Sequence, residues 1–572
     1  MSSSVIEAES VLAVDIGSVF TRALLFDVVE ERYRMIAATQ VSSTIGAPFF
    51  DISESIFQAL TRLEEITGRR LMEEAHLLLP TQEDGSGVDR FVLTFSAGQP
   101  LRVVAMGLLE DVSLASARKV LESTYCQIVE QISLNDRRKP EAQIDAILRA
   151  RPDLVLIAGG TDQGATRSMA KLVDLLALAL QLMPAENRPE VLYAGNSAIT
   201  KQVSDRLEPY MRPHTVPNLR PDIDLENLIP AQEALSEIVY QRRSHQIGGL
   251  QSYSMISAIT PQPSLRAFGR MIQFLEKITN APQGVLGIDL GSATTGIAMA
   301  RGGTLTMQAL PIGTGFGLAK ALEQNPLESI TRWLPMHASD ETVRDYLWHR
   351  TLYPTTVPTS LEYQAIEQAM LRQILAQVAT RVAPDEGMYG FEPILVSGYA
   401  LTQATSPAQS LLALLDGLQP IGVTTFILDP YGLLTALGAI APLNPTLVVQ
   451  VLESNALVNL GTVIAPLSPA QYGTPILKVR YELESGETSS VEVRQGMLVP
   501  LPIPNGQRAR LHLQPLRPLR LSPTGKDTAR SFKVTGGLLG AVIDARGRPI
   551  TLPTDSARRR DLLKRWMATL GG

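Results

Sequence analysis

Short apolar runs alternate with amphipathic stripes along most of this chain. Val11-Leu-Ala-Val-Asp15-Ile-Gly17-Ser18 is an apolar run broken by one carboxylate and closed by Gly-Ser, the pattern of a buried strand entering a tight turn. Thr21–Asp27 and Tyr33–Val41 predict two more strands, so a β-meander opens the chain. An amphipathic helix is expected over Ile56–Ile66, with Ser53 as its N-cap. Phe91–Phe95 and Leu101–Met106 read as strands, and Leu114–Ile132, including Cys126, as helix. Leu154–Ala158 is a continuous apolar run ending in Gly159-Gly160-Thr161-Asp162, with Asp162 placed to cap the helix that follows. Helical patterns at Ala165–Leu182 and Ser197–Leu207 flank a strand at Val191–Ala194. Pro-rich residues 212–230 read as loop, followed by helices at Ala231–Arg243 and Ser264–Ile278. This alternation predicts a mixed α/β sheet.

The opening pattern then recurs. Val285-Leu-Gly-Ile-Asp289-Leu-Gly291-Ser292-Ala-Thr294-Thr295 repeats the order of Val11 to Thr21, at a spacing far too long for a solenoid. A duplicated lobe explains it, giving a first lobe with an insertion over residues 1–284 and a second over 285–442. The second lobe runs through Ser397-Gly398-Tyr399 and closes on a small-residue helix, Asp429–Ile440. Beyond Pro442 the texture changes. Thr446–Leu452, Ile476–Leu483, Ser490–Val493, Arg508–Leu513 and Ser531–Val534 are strand-like between Pro and Gly. Residues 443–572 therefore read as a β-rich domain ending in a helix, Asp555–Leu570.

Composition narrows the function classes. At 45% apolar and 19% charged residues, the 572-residue chain can build several cores. One cysteine, Cys126, excludes an intrachain disulfide framework and a Cys-rich metal site, and points to a reduced, cytoplasmic setting. No apolar run reaches the ~18 residues of a membrane span, and the first residues lack the character of a signal peptide. The net charge of −6 disfavours general polyanion binding, and no aromatic–basic interleaving suggests nucleic-acid reading. Residues 494–572 nevertheless carry 15 Lys or Arg against 4 Asp, which suits either docking on the acidic remainder or an acidic partner.

The candidate chemistry lies in the twin turns. A strand ending in Asp places a carboxylate at the sheet's carboxyl edge, and the Gly beside it lets backbone N–H groups approach an anion. Gly17, Ser18 and Thr21 in one copy, with Gly291, Ser292, Thr294 and Thr295 in the other, would grip a polyphosphate from two sides. Asp15 and Asp289 would hold Mg²⁺ largely through its water shell. No Gly-x-x-x-x-Gly-Lys-Ser/Thr occurs, which excludes a P-loop, and no Gly-x-Gly-x-x-Gly supports a dinucleotide fold.

These residues resemble the actin-like ATPase superfamily, whose segments occur in order. Asp15–Thr21 and Asp289–Thr295 resemble its phosphate segments. Thr260–Gly269 and Tyr431–Ala439 resemble its connecting helices, and Leu395-Val-Ser397-Gly398-Tyr399 its adenosine segment. The resemblance implies a duplicated ribonuclease H-like fold of two lobes, ATP and Mg²⁺ as cofactors, and a catalytic set of Asp15, Asp289 and Gln262 in which Asp289 or Gln262 orients water. A narrower likeness lies in Ser96-Ala-Gly98, Leu101–Leu108, Ala158–Gly164, Tyr193–Asn196, Val216–Pro221 and Val534–Pro549. These resemble the glutamate mutase L family, also called MutL and unrelated to mismatch repair. That family implies an ATP-binding, chaperone- or reactivator-like accessory factor with a cobalamin-dependent mutase as partner.

Four positions depart from the family pattern: Arg22 for Lys, Gln99 for Gly, Ser292 for Gly and Gly296 for Asp. They leave three readings: a slow Mg²⁺-dependent ATPase, a nucleotide-binding scaffold without turnover, and a small-molecule kinase of the same fold. No acceptor-binding pattern favours the kinase.

Overall fold

The computed structural model describes residues 9–383, 388–522 and 531–571. The first lobe opens with β1 (Val11–Ile16), β2 (Phe20–Val29) and β3 (Arg32–Ser42), an antiparallel meander in which Asp15 faces Arg22 in register. Val11 to Val14 are buried, as a continuous apolar run in a sheet covered on both faces requires. A two-residue hairpin, β4 (Met72–Glu73) and β5 (His76–Leu77), precedes β6 (Arg90–Phe95), which lies parallel to β1.

An insertion follows with a sheet of its own: β7 (Leu101–Gly107), β8 (Cys126–Ile132), β9 (Leu154–Ala158), β10 (Glu190–Tyr193) and β11 (His214–Thr215). All five are parallel, in the order β11-β10-β9-β7-β8. The chain returns to the first lobe at β12 (Gln262–Pro263) and enters the connecting helix Ser264–Thr279. The lobe sheet reads β12-β6-β1-β2-β3.

The second lobe repeats this order. It contains β13 (Val285–Leu290), β14 (Thr295–Arg301), β15 (Thr304–Leu310), β16 (Ile394–Ser397) and β17 (Gly422–Asp429), arranged β15-β14-β13-β16-β17. Again a meander pairs with parallel strands from the far side. This topology is the duplicated lobe that the repeated Asp-x-Gly-Ser pattern predicts, and the two-lobe fold that the resemblance to actin-like ATPases implies.

The strands after residue 442 are shared between two sheets. β18 (Val458–Ala465) pairs antiparallel with β17 and carries the lobe sheet on. A four-stranded sheet follows, built from β19 (Pro475–Leu483) and β20 (Thr488–Arg494) with two later strands. β21 (Leu498–Leu501) belongs to the lobe sheet. β22 (Arg508–Pro515) and β23 (Ser531–Thr535) complete the four-stranded sheet, and β24 (Ala541–Asp544) pairs with β18 and β21. The last helix, Ser556–Leu570, buries Leu562, Leu563, Trp566 and Leu570 in the second lobe's core.

Three local expectations are corrected. The helix expected over Leu114–Ile132 ends at Glu122, and Cys126–Ile132 is the edge strand β8. It pairs with β7 at the end of the insertion's sheet order. Burial on that strand pushes the Cys126 thiol up to about 12, which keeps it an unreactive thiol. Thr446–Leu452 is not a strand but part of the helix Pro445–Leu452, because Asn444 accepts the Leu447 N–H and Pro445 fits the first helical position. Ser53 is the first helical residue rather than the cap, and Asp51 Oδ1 accepts its N–H at 2.7 Å.

A buried ionic cluster fastens the C-terminal segment to the second lobe. Arg546 donates to Asp416 Oδ1 at 2.6 Å and to Asp544 Oδ1 at 2.9 Å, while Arg372 holds Asp416 Oδ2 at 2.7 Å. Arg548 completes it on Asp544 Oδ2 at 2.8 Å. Burial alone would raise the Asp544 carboxyl, but Arg546 and Arg548 more than offset it and hold it below the usual carboxylate range. Its contribution is therefore present above about pH 4 and fades only as pH falls through that depressed value. Asp416→Ala strips a partner from two buried cations. It is expected to destabilise the second lobe by about 3–5 kcal/mol, read as a lowered denaturant midpoint; an unchanged midpoint would contradict this account.

Candidate functional site

The two Asp-bearing strands meet at one cleft between the lobes. Asp15, Gly17 and Ser18 line it from one side, and Asp289, Gly291, Ser292 and Thr294 from the other. Each turn is built alike. Gly17 N–H donates to Phe20 O at 2.9 Å, and Gly291 N–H to Thr294 O at 3.1 Å. A Cβ at Gly17 would lie 2.7 Å from Phe20 O, and one at Gly291 2.5 Å from Thr294 O, so both turns require glycine.

The carboxylates are also held alike. Asp15 pairs in register with Thr94 on the neighbouring parallel strand, and Thr94 Oγ1 donates to Asp15 Oδ1 at 2.7 Å. Asp289 pairs with Ser397, whose Oγ donates to Asp289 Oδ1 at 2.6 Å. Ser264, at the start of the connecting helix, adds a second donor to Asp15 Oδ1 at 2.6 Å. Among the described residues, each Oδ2 has no hydrogen-bond partner in the protein. Two fixed carboxylates with a free oxygen apiece suit a hard, oxygen-seeking cation such as Mg²⁺.

Burial raises the Asp289 carboxyl above its ordinary value. Arg22 and the Ser397 hydroxyl pull it back, and Asp15 adds to the rise. The Tyr125 phenol lines the same cleft as both carboxylates. Burial first, then Asp289 and Asp15, push its pKa far up, so it remains a neutral hydroxyl. It accepts the Leu265 N–H at 3.2 Å, which ties the insertion to the connecting helix.

Not every expected site residue reaches the cleft. Thr21 is fully buried and donates to Ser55 Oγ, and Thr295 is fully buried and donates to Ile312 O. Both hydroxyls brace the turns from behind. Gln262 is buried on β12, its Oε1 faces Arg270 at 3.3 Å, and it is absent from the cleft lining. Ser397 acts on Asp289 from the neighbouring strand. At Gly398, with φ +131°, a Cβ would lie 2.5 Å from Leu290 O, so a side chain there would push the end of β16 off β13. Tyr399 does line the cleft, with its ring 4.6 Å from that of Phe20 in the opposite lobe. Asp162 caps no long helix. It accepts from Ser197 N and Asn218 Nδ2, locking the loop after β9 to those after β10 and β11.

The structure adds residues that sequence reasoning left out. Arg22 lines the cleft, bonded to Gln40 Oε1 at 3.0 Å. It faces Asp15 across its hairpin, as Gly296 faces Asp289 across the other. Two of the departures from the family pattern thus occupy equivalent places. Arg350 lines the cleft with its charge matched by Glu367 Oε1 at 2.9 Å. The run Gly313-Thr314-Gly315-Phe316-Gly317 cradles the second turn. Thr314 N–H donates to Gly291 O, Gly315 N–H to Ser292 O and Phe316 N–H to Ser292 Oγ. A Cβ at Gly315 would collide with Ser292 Oγ. Three alternate glycines directly after a strand were the available signal. Asp429, which ends β17, accepts the N–H groups of Leu433 and Leu434 at 2.9 and 2.8 Å and so anchors the second connecting helix.

The cleft measures about 70 Å³ and adjoins a pocket of about 220 Å³ on the far side of Tyr399 and Arg350. Gln403, Ala404 and Gln409 line that second pocket. Among the described residues no cluster of three or more His, Cys, Asp or Glu could hold a metal without further ligands. No helix of the described residues is long and apolar enough to cross a membrane.

Because burial raises the folded-state pKa of Asp289, the wild type loses stability as pH rises from the ordinary carboxylate value through the raised one. Asp289→Asn, whose amide oxygen can still accept from Ser397, is expected to melt higher than wild type at pH 7, by about 2–4 °C for each kcal/mol relieved. The difference should vanish in acid below about pH 4. Scanning calorimetry across pH checks this, and a lower melting point at pH 7 would contradict it.

A family model described as MutL protein matches residues 11–456. Protein MutL of Clostridium tetanomorphum is 22% identical over 295 residues, covering 50% of this chain and 57% of that protein. The chain thus spans little more than half the length of that relative. Among solved structures, nucleotide-free acetone carboxylase is similar at a TM-score of 0.35 and 9% identity, over 86% of this chain and 81% of that one. Component A of (R)-2-hydroxyglutaryl-CoA dehydratase from Acidaminococcus fermentans gives a TM-score of 0.24 at 12% identity, over 75% and 96%. The family match takes in the twin turns, the insertion and both connecting helices, and so the chain belongs to the MutL protein family.

Proposed function

We propose that this protein binds Mg²⁺–ATP between its lobes and serves as an ATP-dependent accessory factor, of chaperone or reactivator type, for a cobalamin-dependent mutase. The observation that carries the nucleotide reading is the convergence of Asp15 and Asp289, with their glycine turns, on one cleft that continues past Tyr399 into a larger pocket. Once the lobes part, the cleft would take the phosphates and the adjoining pocket the nucleoside. The mutase partner rests on family membership.

Mg²⁺, when bound, neutralises charge on phosphate oxygens. Asp15 and Asp289 would hold it through their free oxygens and its waters. Arg22 contributes a fixed cation on the same wall, and the Gly17-Ser18 and Gly291-Ser292 turns position the phosphates. At about 70 Å³ the cleft is too tight for a triphosphate, since small-molecule sites span roughly 300–1,000 Å³. Nucleotide entry therefore requires the Phe20–Tyr399 contact to part. Opening and closing of the lobes would change the surface shown to a partner, so nucleotide and partner would affect each other's affinity reciprocally.

A second reading, a scaffold that binds ATP without turnover, is favoured by two observations. Gln262 lies outside the cleft lining, and Gly296 supplies no carboxylate opposite Asp289.

Calorimetric titration with Mg²⁺–ATP is expected to show one saturable site that Asp15→Asn weakens at least tenfold. Absence of binding at millimolar nucleotide would overturn both readings. Phosphate release from bound ATP under single-turnover conditions, lost in Asp15→Asn, selects the ATPase; binding without release selects the scaffold. Reciprocal co-purification with a cobalamin mutase, altered by Mg²⁺–ATP, tests the partner, and no retention in any nucleotide state would refute it.

A further inference from the structure

Arg350 and Tyr399 each line two cavities, the cleft of the twin turns and the pocket that adjoins it. They mark the junction that a ligand filling both spaces must cross. Arg350 is the one cation among the described residues lining the pocket. Its side chain is only 3% exposed, so the fold rather than solvent fixes where its guanidinium points.

The helix Asp340–Leu352 carries Arg350 in its last turn. Its Nη1 donates to Pro354 O at 2.7 Å and to Thr356 O, which curls the following loop back onto the helix. Its Nε faces Glu367 Oε1 at 2.9 Å, and Glu367 stands on the helix Leu361–Val382. The Tyr346 hydroxyl donates to the same Oε1 at 2.9 Å and holds the carboxylate in place. Among the described residues Nη2 has no hydrogen-bond partner, and it keeps accessible surface, so its N–H groups are open to the junction. A guanidinium with one arm on carbonyls, one beside a carboxylate and the third open is a preset donor for an oxyanion.

The ligand that would span both spaces is the nucleotide, with its nucleoside in the pocket of about 220 Å³ and its phosphates running toward Asp15 and Asp289. The phosphate at the junction is then the one bonded to the ribose. We infer that Arg350 holds the α-phosphate of the nucleotide through Nη2 while Glu367 tempers its charge, so that the site selects nucleotides over free nucleosides. The inference rests on the nucleotide reading above. Glu367 acts twice: it fixes the guanidinium, and it weakens the field that the phosphate meets.

The probes are 2-fluoroadenosine and its 5′-diphosphate, titrated with Mg²⁺ into the full-length chain and followed by ¹⁹F NMR. The wild type is expected to bind the diphosphate more tightly. Arg350→Lys, which keeps a cation beside Glu367 but loses the open arm, should weaken the diphosphate about tenfold and leave the nucleoside unchanged. Glu367→Gln, whose amide oxygen can still accept from Tyr346, should tighten the diphosphate about threefold, again without moving the nucleoside. Damage to the fold would weaken the diphosphate in both variants, so opposite signs report the charge. Unchanged diphosphate affinity in Arg350→Lys, weaker binding in Glu367→Gln, or a parallel loss of both probes would overturn the inference and leave the nucleotide reading standing. A wild type that binds neither probe at millimolar concentration would overturn the nucleotide reading and this inference with it.

Discussion

The cleft depends on a hydroxyl of the neighbouring parallel strand fixing each buried-strand carboxylate. Thr94 does this for Asp15 and Ser397 for Asp289, each in register and each on Oδ1. A carboxylate at a buried strand's end is tolerated only with donors, because desolvation penalises its charge. Here the donors come from the sheet itself, so sheet register and site geometry are one constraint. A one-residue slip would move both carboxylates to the opposite face. The duplicated strand order reproduces the arrangement in each lobe, and the meeting of two copies makes a site that neither makes alone.

Around that pair the supporting structure is asymmetric. The first lobe presents Arg22 where the second presents Gly296. Among the described residues, only the second turn is cradled by a glycine-rich run, and only the first lobe carries the insertion, whose Tyr125 lines the cleft. One wall of the cleft thus carries Arg22, and the other closely packed backbone with Arg350, whose charge Glu367 matches. Such a division suits gripping a phosphate chain from unlike sides. The insertion's loops are bound to one another through Asp162, Asn196 and Asn218, which makes its carboxyl edge a stiff platform.

The segment beyond residue 442 reaches the same framework by two routes. Its strands β18, β24 and β21 prolong the second lobe's sheet, and its last helix packs on that lobe's core. The Asp544–Arg546–Asp416–Arg372 cluster joins them, with Arg546 also stacked 4.6 Å from the Trp566 ring. Burial on this scale makes the cluster a specificity device: each charge is costly unless every partner is in place. Of the ion pairs made by the basic end among the described residues, Arg546–Asp416 is the one that reaches the second lobe, and it is buried rather than part of a screened surface field. The four-stranded sheet packs its own core beside it.

Much of this was legible in the chain. The repeated Asp-x-Gly-Ser turn, with its apolar strand before and Thr after, is local chemistry: only glycine fits the turn, and only an apolar run fits a strand covered on both faces. Sequence by itself therefore determined the duplication, the lobe order and the pair of carboxylates. It misread Cys126–Ile132 as helix because seven residues of mixed alternation satisfy two periodicities. It placed Thr21, Thr295 and Gln262 in the cleft, because spacing along a strand does not say which face looks inward. Arg350 and the Gly313–Gly317 cradle became neighbours of the cleft only once distant segments were packed, whereas Arg22 was already set opposite Asp15 by their own hairpin. Local sterics write turns and strands into the sequence, whereas the partners of a buried charge are chosen by long-range packing, which only the tertiary structure decides.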